Sequence, residues 1–346
     1  MKIPVIILNW NGAEDTIQSV ESVRNQTFQD FQIYLADNYS VETDRIKLAE
    51  RYRDAEDVCF IQNTSNLGFA RAHNRIFERV LSETDAQYLV LLNNDAFAEQ
   101  KWLEKLIECA DKHHAGMVSC KMLFHEHPDK INNLGHKLLN TGEILPIAWN
   151  EPANSNNSHK TNAGASGGAC LYSIEMLRNI GLFDEYFVTG YEDAELGVRA
   201  MVAGYPLVYE PEAVVLHKVG ASINKVRDYQ YTLKLQLDIL YAYFKLMPAS
   251  VIIINMPSVI FRTAILFALF GLWGRWTYFQ IFFHGWYLML TRDRKILTAS
   301  RKKFAPLRKL SWIQILRNQD FFLADNYKRF KTYFLQGEKT IFEKYK

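Results

Sequence analysis

The chain of 346 residues has only four cysteines, Cys59, Cys109, Cys120 and Cys170, with no CxxC pair and no histidine at zinc-ligand spacing. A disulfide framework and a structural zinc site are therefore excluded, and the cysteines read as buried thiols of a reducing cytosol. No GxGxxG follows the first apolar segment and no GxxxxGK[ST] occurs, which removes the usual dinucleotide-binding fold and the P-loop. Long apolar runs are also lacking. The charge-free stretches 246–261 and 276–291 have 16 residues each and 263–274 has 12, divided by Arg262 and Arg275. A spanning helix needs roughly 20 apolar residues, and Pro248 and Pro257 are expected to break the first run, so spanning is disfavoured. The N-terminus offers one lysine and eight apolar residues before Asn11, Gly12, Glu14 and Asp15, which reads as a first strand and not as a secretory signal.

What is present is an ordinary globular composition, 49% hydrophobic and 23% charged, which excludes collagen-like, low-complexity and wholly disordered classes. The net charge of +2 hides an asymmetry: residues 292–346 carry 15 Lys/Arg against 5 Asp/Glu, leaving 25 against 33 for residues 1–291. A basic tail on an acidic body suits an anionic membrane surface or nucleic acid. The Trp-, Tyr- and Phe-rich block at 246–291 just before the tail points to lipid, and nucleic acid is not expected. The three apolar segments suit helices lying in a membrane interface; a buried helical core or a subunit face is the alternative.

From residue 3 to about 123, β-rich apolar runs (IPVIIL, FQIYLA, VCFI, YLVLL, MVSCKML) alternate with amphipathic stretches near 13–25, 42–53, 69–82 and 100–113. Strands apolar on both faces and separated by helices imply an α/β fold, a mainly parallel sheet covered on both sides. Residues 124–165 break this rhythm, and NEPANSNNSHKTN at 150–162 reads as a long mobile loop. A second section follows, with GACLYS, helices near 174–180 and 192–203, and two strands near 206–209 and 213–217; beyond about Ile223 the pattern is helical.

In such sheets ligands bind beyond the carboxyl ends of the strands. There the chain places Asn9-Trp10-Asn11-Gly12, Asp37-Asn38, the segment NTSNLGFARAHN at 63–74, and Asn93-Asn94-Asp95. Each alone is a common turn composition. Together they are the parts of a nucleotide-diphosphate site: Asp37 to accept from a base edge, Arg71 to fork onto a diphosphate, and Asp95 as a hard oxygen ligand for Mg²⁺ or Mn²⁺. YEDAELGVR at 191–199 puts Glu192 and Asp193 at a helix start, where a carboxylate is stabilised by the helix dipole or aimed at a hydroxyl as a general base. Glu195 and Arg199, four apart, read as a surface pair.

The ordered set VIILNWNG, LADNYS, NLGFARAHN, LLNND, SGGACLYS, GLFDEYF, YEDAELGVR and PEAVVLH resembles the inverting glycosyltransferases of family 2 with the GT-A fold, in their bacterial rhamnosyltransferase-like branch. The resemblance covers residues 3 to about 222. It implies a GT-A catalytic domain at 1–222; the apolar runs and basic tail beyond it are expected to form a helical C-terminal region at 223–346, attached to the inner face of the cytoplasmic membrane. It implies Asp193 as catalytic base with Glu192 beside it, and Asn9, Asn11, Asp37, Arg71 and Asn94 on the nucleotide. Gly167, Gly168 and Arg199 fall to the sugar and acceptor, and Asp95 and His217 to a Mg²⁺ or Mn²⁺ ion. The first carboxylate of the family's DxD motif is Asn93 here. The donor implied is dTDP-rhamnose or a UDP-sugar, and the acceptor a lipid-linked saccharide of O-antigen or capsule synthesis. A non-catalytic membrane-attached scaffold and a sugar nucleotidyltransferase are the alternatives; the latter needs a glycine-rich basic loop after the first strand, where Asn9-Trp10-Asn11-Gly12 stands.

Overall fold

A computed structural model describes residues 2–158, 160–188, 190–218, 229–272, 274 and 276–330. Arg275, the 222/223 boundary and the tail beyond 330 lie outside the described residues. The chain divides into two compact units, Met1–Lys137 with Pro146–Gly220, and Leu138–Leu145 with Ala221–Lys346. The short segment 138–145 thus groups with the second unit.

In the first unit the expected alternation is present. β1 (Ile3–Asn9), α1 (Ala13–Arg24), β2 (Phe31–Asp37), α2 (Glu42–Tyr52), β3 (Val58–Gln62), α3 (Gly68–Glu83) and β4 (Tyr88–Leu92) follow one another. β3, β2, β1 and β4 pair side by side and parallel. Val5, Ile7, Ile33, Leu35 and Val90 are fully buried, as strands covered on both faces require. Then come β5 (Ala96–Ala98), α4 (Trp102–His113) and β6 (Met117–Phe124), with Trp102, Leu103 and Leu106 of α4 in the core.

The irregular middle of the chain is more ordered than its composition implies. β7 (Ile131–Asn133) pairs with β6, β8 (His136–Leu139) and β9 (Ile144–Pro146) follow, and β10 (Lys160–Thr161) closes the section. Residues 150–158 are tied down, contrary to the expected mobile loop: Asn150 N–H donates to the Ile131 carbonyl at 2.8 Å and Ala153 N–H to that of Asp129 at 2.8 Å. The buried Lys121 reaches Asn157 and the Ala153 carbonyl with its ammonium from the central strand. β11 (Ala169–Ser173) then runs between β4 and β6, antiparallel to both. After α5 (Ile174–Ile180) and α6 (Glu192–Val202) comes one strand, β12 (Leu207–His217), where two were expected. A bulge between Glu210 and Val214 absorbs Pro211, so the strand bends without ending. β12 pairs parallel with β6 and antiparallel with β5 and β10.

The second unit holds α7 (Tyr229–Leu246), α8 (Ala249–Leu272), α9 (Thr277–Leu290), α10 (Arg294–Phe304), α11 (Trp312–Arg317), β13 (Gln319–Asp320) and α12 (Phe322–Phe330). β13, β8 and β9 form a three-stranded sheet. α8 runs through Pro257 and Arg262, which were expected to divide it. A proline removes one hydrogen bond, and a helix of 24 residues tolerates that loss. By length and composition alone, its segment Ala249–Ala268 is long and apolar enough to cross a membrane.

Candidate active site

The carboxyl ends of β1, β2, β4 and β12 place Asn9, Asn11, Asp37, Asn94, Asp95 and His217. The parallel register sets Asn9 beside Asp37. The buried Asn9 amide donates to Asp37 Oδ1 at 2.8 Å and to Ser40 Oγ at 3.0 Å, while its Oδ1 accepts from Thr16 Oγ1 at 2.7 Å and from Asn94 Nδ2 at 3.4 Å. Asp37 Oδ2 accepts from Ser40 N–H at 3.1 Å, so this fully buried carboxylate is held from two sides. Asn11 takes a left-handed backbone with φ 54°, its N–H donating to Ser40 Oγ and its Oδ1 accepting from Val41 N–H. The polar run at 63–74 joins this floor through Asn38, whose Oδ1 accepts from Asn63 and from Leu67 N–H. Arg71 stands exposed on α3, paired with Glu185 at 3.0 Å.

The turn after β4 sends its three residues to three places. Asn93 N–H donates to the Gly168 carbonyl at 2.8 Å, and Asn94 joins Asn9 and Thr16. Asp95 Oδ1 lies 3.2 Å from His217 Nε2, and His217 Nδ1 lies 3.1 Å from Asn132 Oδ1. Two ligands each ~2.1 Å from one divalent ion and at right angles stand ~3.0 Å apart, so the pair fits adjacent positions on Mg²⁺ or Mn²⁺. Asn132 would orient the imidazole from behind. Among the described residues no group of three or more His, Cys, Asp or Glu could hold a metal. The remaining positions would fall to diphosphate oxygens and water, as Mg²⁺ accepts.

Asp193 opens the second half of the site. Its Oδ2 accepts from Gly167 N–H at 2.7 Å and its Oδ1 from Ala194 N–H at 2.7 Å. Tyr191, in a left-handed conformation with φ 79°, turns the chain into α6 just before the buried Glu192. A Cβ on Gly167 would lie 3.2 Å from Asp193 Cβ, close enough to shift that side chain, whereas one on Gly168 would meet the flexible end of Met122, its Cε at 2.7 Å. Gly197 of α6 packs directly on Gly164, where an added Cβ would come within 2.4 Å of the Gly164 Cα.

Arg199 does not join the site. It is buried, its guanidinium gripping Glu195 (Nη2 to Oε2 at 2.7 Å) and donating to the carbonyls of Ile180 at 2.9 Å and Gly181 at 3.1 Å. The expected surface pair is therefore internal, and the expected acceptor contact is replaced by a structural one. Two residues were missed. Asn132 holds His217, and the buried His136 interacts electrostatically with Asp193; burial lowers the imidazole's proton affinity and the Asp193 charge raises it. Both lie in the stretch 124–165, where no periodicity marks them. All four cysteines are free thiols; Cys109, Cys120 and Cys170 are buried and Cys59 half-buried, and burial raises the Cys109 and Cys120 thiols to about 12.

A model of the family described as glycosyl transferase family 2 matches residues 5–181. The chain is 25% identical over 227 residues to the O-antigen biosynthesis protein RfbC of Myxococcus xanthus, 63% of this chain and 17% of that protein. It is 30% identical over 113 residues to the hyaluronan synthase of Streptococcus pyogenes, 31% of this chain and 26% of that protein. It therefore spans well under a third of either relative. The crystal structure of GalNAc-T7 with UDP, GalNAc and Mn²⁺ superimposes with a TM-score of 0.55 at 15% identity, covering 71% of this chain and 50% of that one. The fold is of the GT-A type, and the chain belongs to glycosyl transferase family 2.

Proposed function

We propose that the chain transfers a sugar from a nucleotide-diphosphate donor to a saccharide hydroxyl, inverting the anomeric centre. Asn9, Asn11, Asp37 and Asn94 form the floor on which the nucleotide rests, with Asp37 beneath the base and Arg71 near the diphosphate. Asp95 and His217 hold a divalent cation. Bound there, the ion supplies charge neutralisation to the departing diphosphate. Asp193, with Glu192 beside it, removes the proton from the attacking hydroxyl, a role worth about 10²- to 10⁴-fold. Its two backbone hydrogen bonds fix the carboxylate and leave lone pairs for that proton.

One observation carries this reading. The dipeptide Gly167-Gly168 holds both chemical groups: its first N–H donates to Asp193 and its second carbonyl accepts from Asn93, two residues before Asp95. Base and metal turn are thereby set by one short piece of backbone. The donor is dTDP-rhamnose or a UDP-sugar, and the acceptor is a lipid-linked saccharide of surface-polysaccharide synthesis at the inner face of the cytoplasmic membrane. The O-antigen and hyaluronan names of the relatives support that substrate class.

The test is a thermal-shift panel with dTDP, UDP, GDP and CDP, each with and without Mg²⁺ or Mn²⁺, run on the wild type and on Asp193→Asn. Ligand at 100 times its Kd stabilises by about 2.7 kcal/mol, a shift of a few degrees. We expect a metal-dependent shift with one nucleotide in both proteins and transfer at least a hundredfold lower in the variant. No shift with any nucleotide would favour the scaffold reading, to which Asn93 in place of a carboxylate lends support. Wild-type transfer by Asp193→Asn would remove it from the role.

A further inference from the structure

The second unit carries an apolar surface that its own elements leave open. α8 has two faces. Asn255, Ser258 and Arg262 share one, and each is engaged: Asn255 donates to Gln319 Oε1 at 2.9 Å, Ser258 Oγ accepts from Asn140 at 2.9 Å, and Arg262 pairs with the buried Glu143. The opposite face bears Ile253, 71% exposed, with Ile260 also open; Phe261 lies to one side, its ring 6.2 Å from that of Phe322 of α12. α9 repeats the arrangement. Gly285 packs on Gln236 of α7, while Phe283, Tyr287 and Leu290 form an exposed stripe. Phe267 of α8 lies with its ring 4.5 Å from that of Phe279 of α9, so the two helices pack together.

Next in the chain stands a basic helix. Arg294, Lys295, Lys302 and Lys303 of α10 are exposed. Arg301 and Arg308 are employed internally, donating to the Met247 carbonyl at 2.7 Å and the Leu246 carbonyl at 2.9 Å at the end of α7. Exposed apolar stripes of this extent, followed by cations with no ion pair among the described residues, match one kind of surface: acyl chains beneath anionic headgroups.

We propose that the second unit is a monotopic anchor for an anionic leaflet, with the exposed faces of α8 and α9 seated among the acyl chains and α10 on the headgroups. The geometry also decides against crossing. The polar face of α8 is occupied by residues 140–143 and by Gln319, so a spanning helix would have to draw a polar hairpin into hydrocarbon. This inference concerns the second unit alone and holds whether or not the first unit transfers a sugar.

The experiment is flotation of the full chain with vesicles of phosphatidylcholine alone and of phosphatidylcholine mixed with phosphatidylglycerol, at low and high salt. We expect binding to the anionic vesicles and its weakening by salt. The quadruple variant Arg294→Gln, Lys295→Gln, Lys302→Gln and Lys303→Gln should bind at least a hundredfold more weakly, at about fivefold per residue. Replacing Arg294 with Lys and the three lysines with Arg should preserve binding. Circular dichroism verifies that each variant is folded. Equal binding to both vesicle types, or no binding together with a dimer by light scattering, would overturn the proposal, the latter by making a second copy the occupant. A Leu272→Cys variant, altered where the helix end is 83% exposed, tests the depth. Labelling by an impermeant maleimide trapped inside the vesicles would show that α8 crosses, and would overturn the monotopic arrangement.

Discussion

Replacing Arg199 with Met separates two roles for this residue. The Arg199 and Glu195 side chains are 6% and 0% exposed, and the guanidinium also satisfies the carbonyls of Ile180 and Gly181. Methionine has similar length but no donors, so Arg199→Met takes the guanidinium's hydrogen bonds away from the buried Glu195 carboxylate and from two carbonyls. Breaking a buried pair from one side costs about 3–5 kcal/mol. In a domain of this size that is a fall in melting temperature of roughly 10 °C or more. The double variant Glu195→Leu with Arg199→Met removes the buried charge as well and should recover most of the loss, since an apolar pair of similar volume is often neutral. Scanning calorimetry of the four proteins completes the cycle. A side chain that bound the acceptor would behave otherwise: Arg199→Met would hold its melting temperature within a degree or two and raise the acceptor KM. That result would refute the structural role.

His73 gives a pH test. It is buried among Phe69, Phe77 and Phe183, its Nδ1 2.9 Å from the Phe69 carbonyl, and burial lowers it to about 4. The unfolded chain binds this proton below about 6.5 and the folded one only below about 4, so stability falls as pH drops through that window. The loss attributable to His73 is about 3 kcal/mol, and denaturation curves of His73→Phe should be flatter by that amount between the two values. Gly167→Ala places a methyl 3.2 Å from Asp193 Cβ. It should reduce transfer by about 10- to 100-fold while leaving the nucleotide-induced thermal shift in place, because only the base is displaced. Asn93→Asp restores a second carboxylate to the turn and should lower the Mn²⁺ concentration giving half the thermal shift by about tenfold; an unchanged titration would mean that residue 93 does not face the ion.

The strands β1, β2, β4 and β6 are legible because each is an apolar run largely buried on both faces, and β3 because its run is apolar although it is only partly buried; position along the chain then marks Asn9, Asp37 and Asp95 as lying at carboxyl ends. Direction is not legible in the same way. Periodicity says nothing of polarity, so GACLYS reads as a strand without revealing that β11 lies antiparallel between two others. Pro211 reads as a break because a proline lacks a ladder donor, and only the bulge in β12 shows how the strand continues. The turn residues 138–145 have no local signal for joining helices that follow them by a hundred residues. Asn132 and His136 are hidden for the same reason: partners distant in sequence place them, and no pattern of their own does.

Arg199 and α8 reveal a signal that was present but underused. From Ala194 to Val202 every residue of α6 is buried. The run LGVRAMV is apolar apart from its arginine, and a charge inside such a run requires an internal partner, which the glutamate four residues earlier supplies. In α8 the spacing of Asn255, Ser258 and Arg262, three and then four apart, sets the polar groups on one face of an otherwise apolar helix. Polar groups aligned on one face cannot be left in hydrocarbon, so their alignment marks the side that protein covers. In the proposed anchor the lipid-facing side is then the remainder, with Ile253 and Ile260 opposite the polar stripe. Membrane depth follows from the same spacing: a helix crossing the bilayer as a single apolar rod has no use for such a polar stripe, whereas one lying along a leaflet with its back to folded protein does.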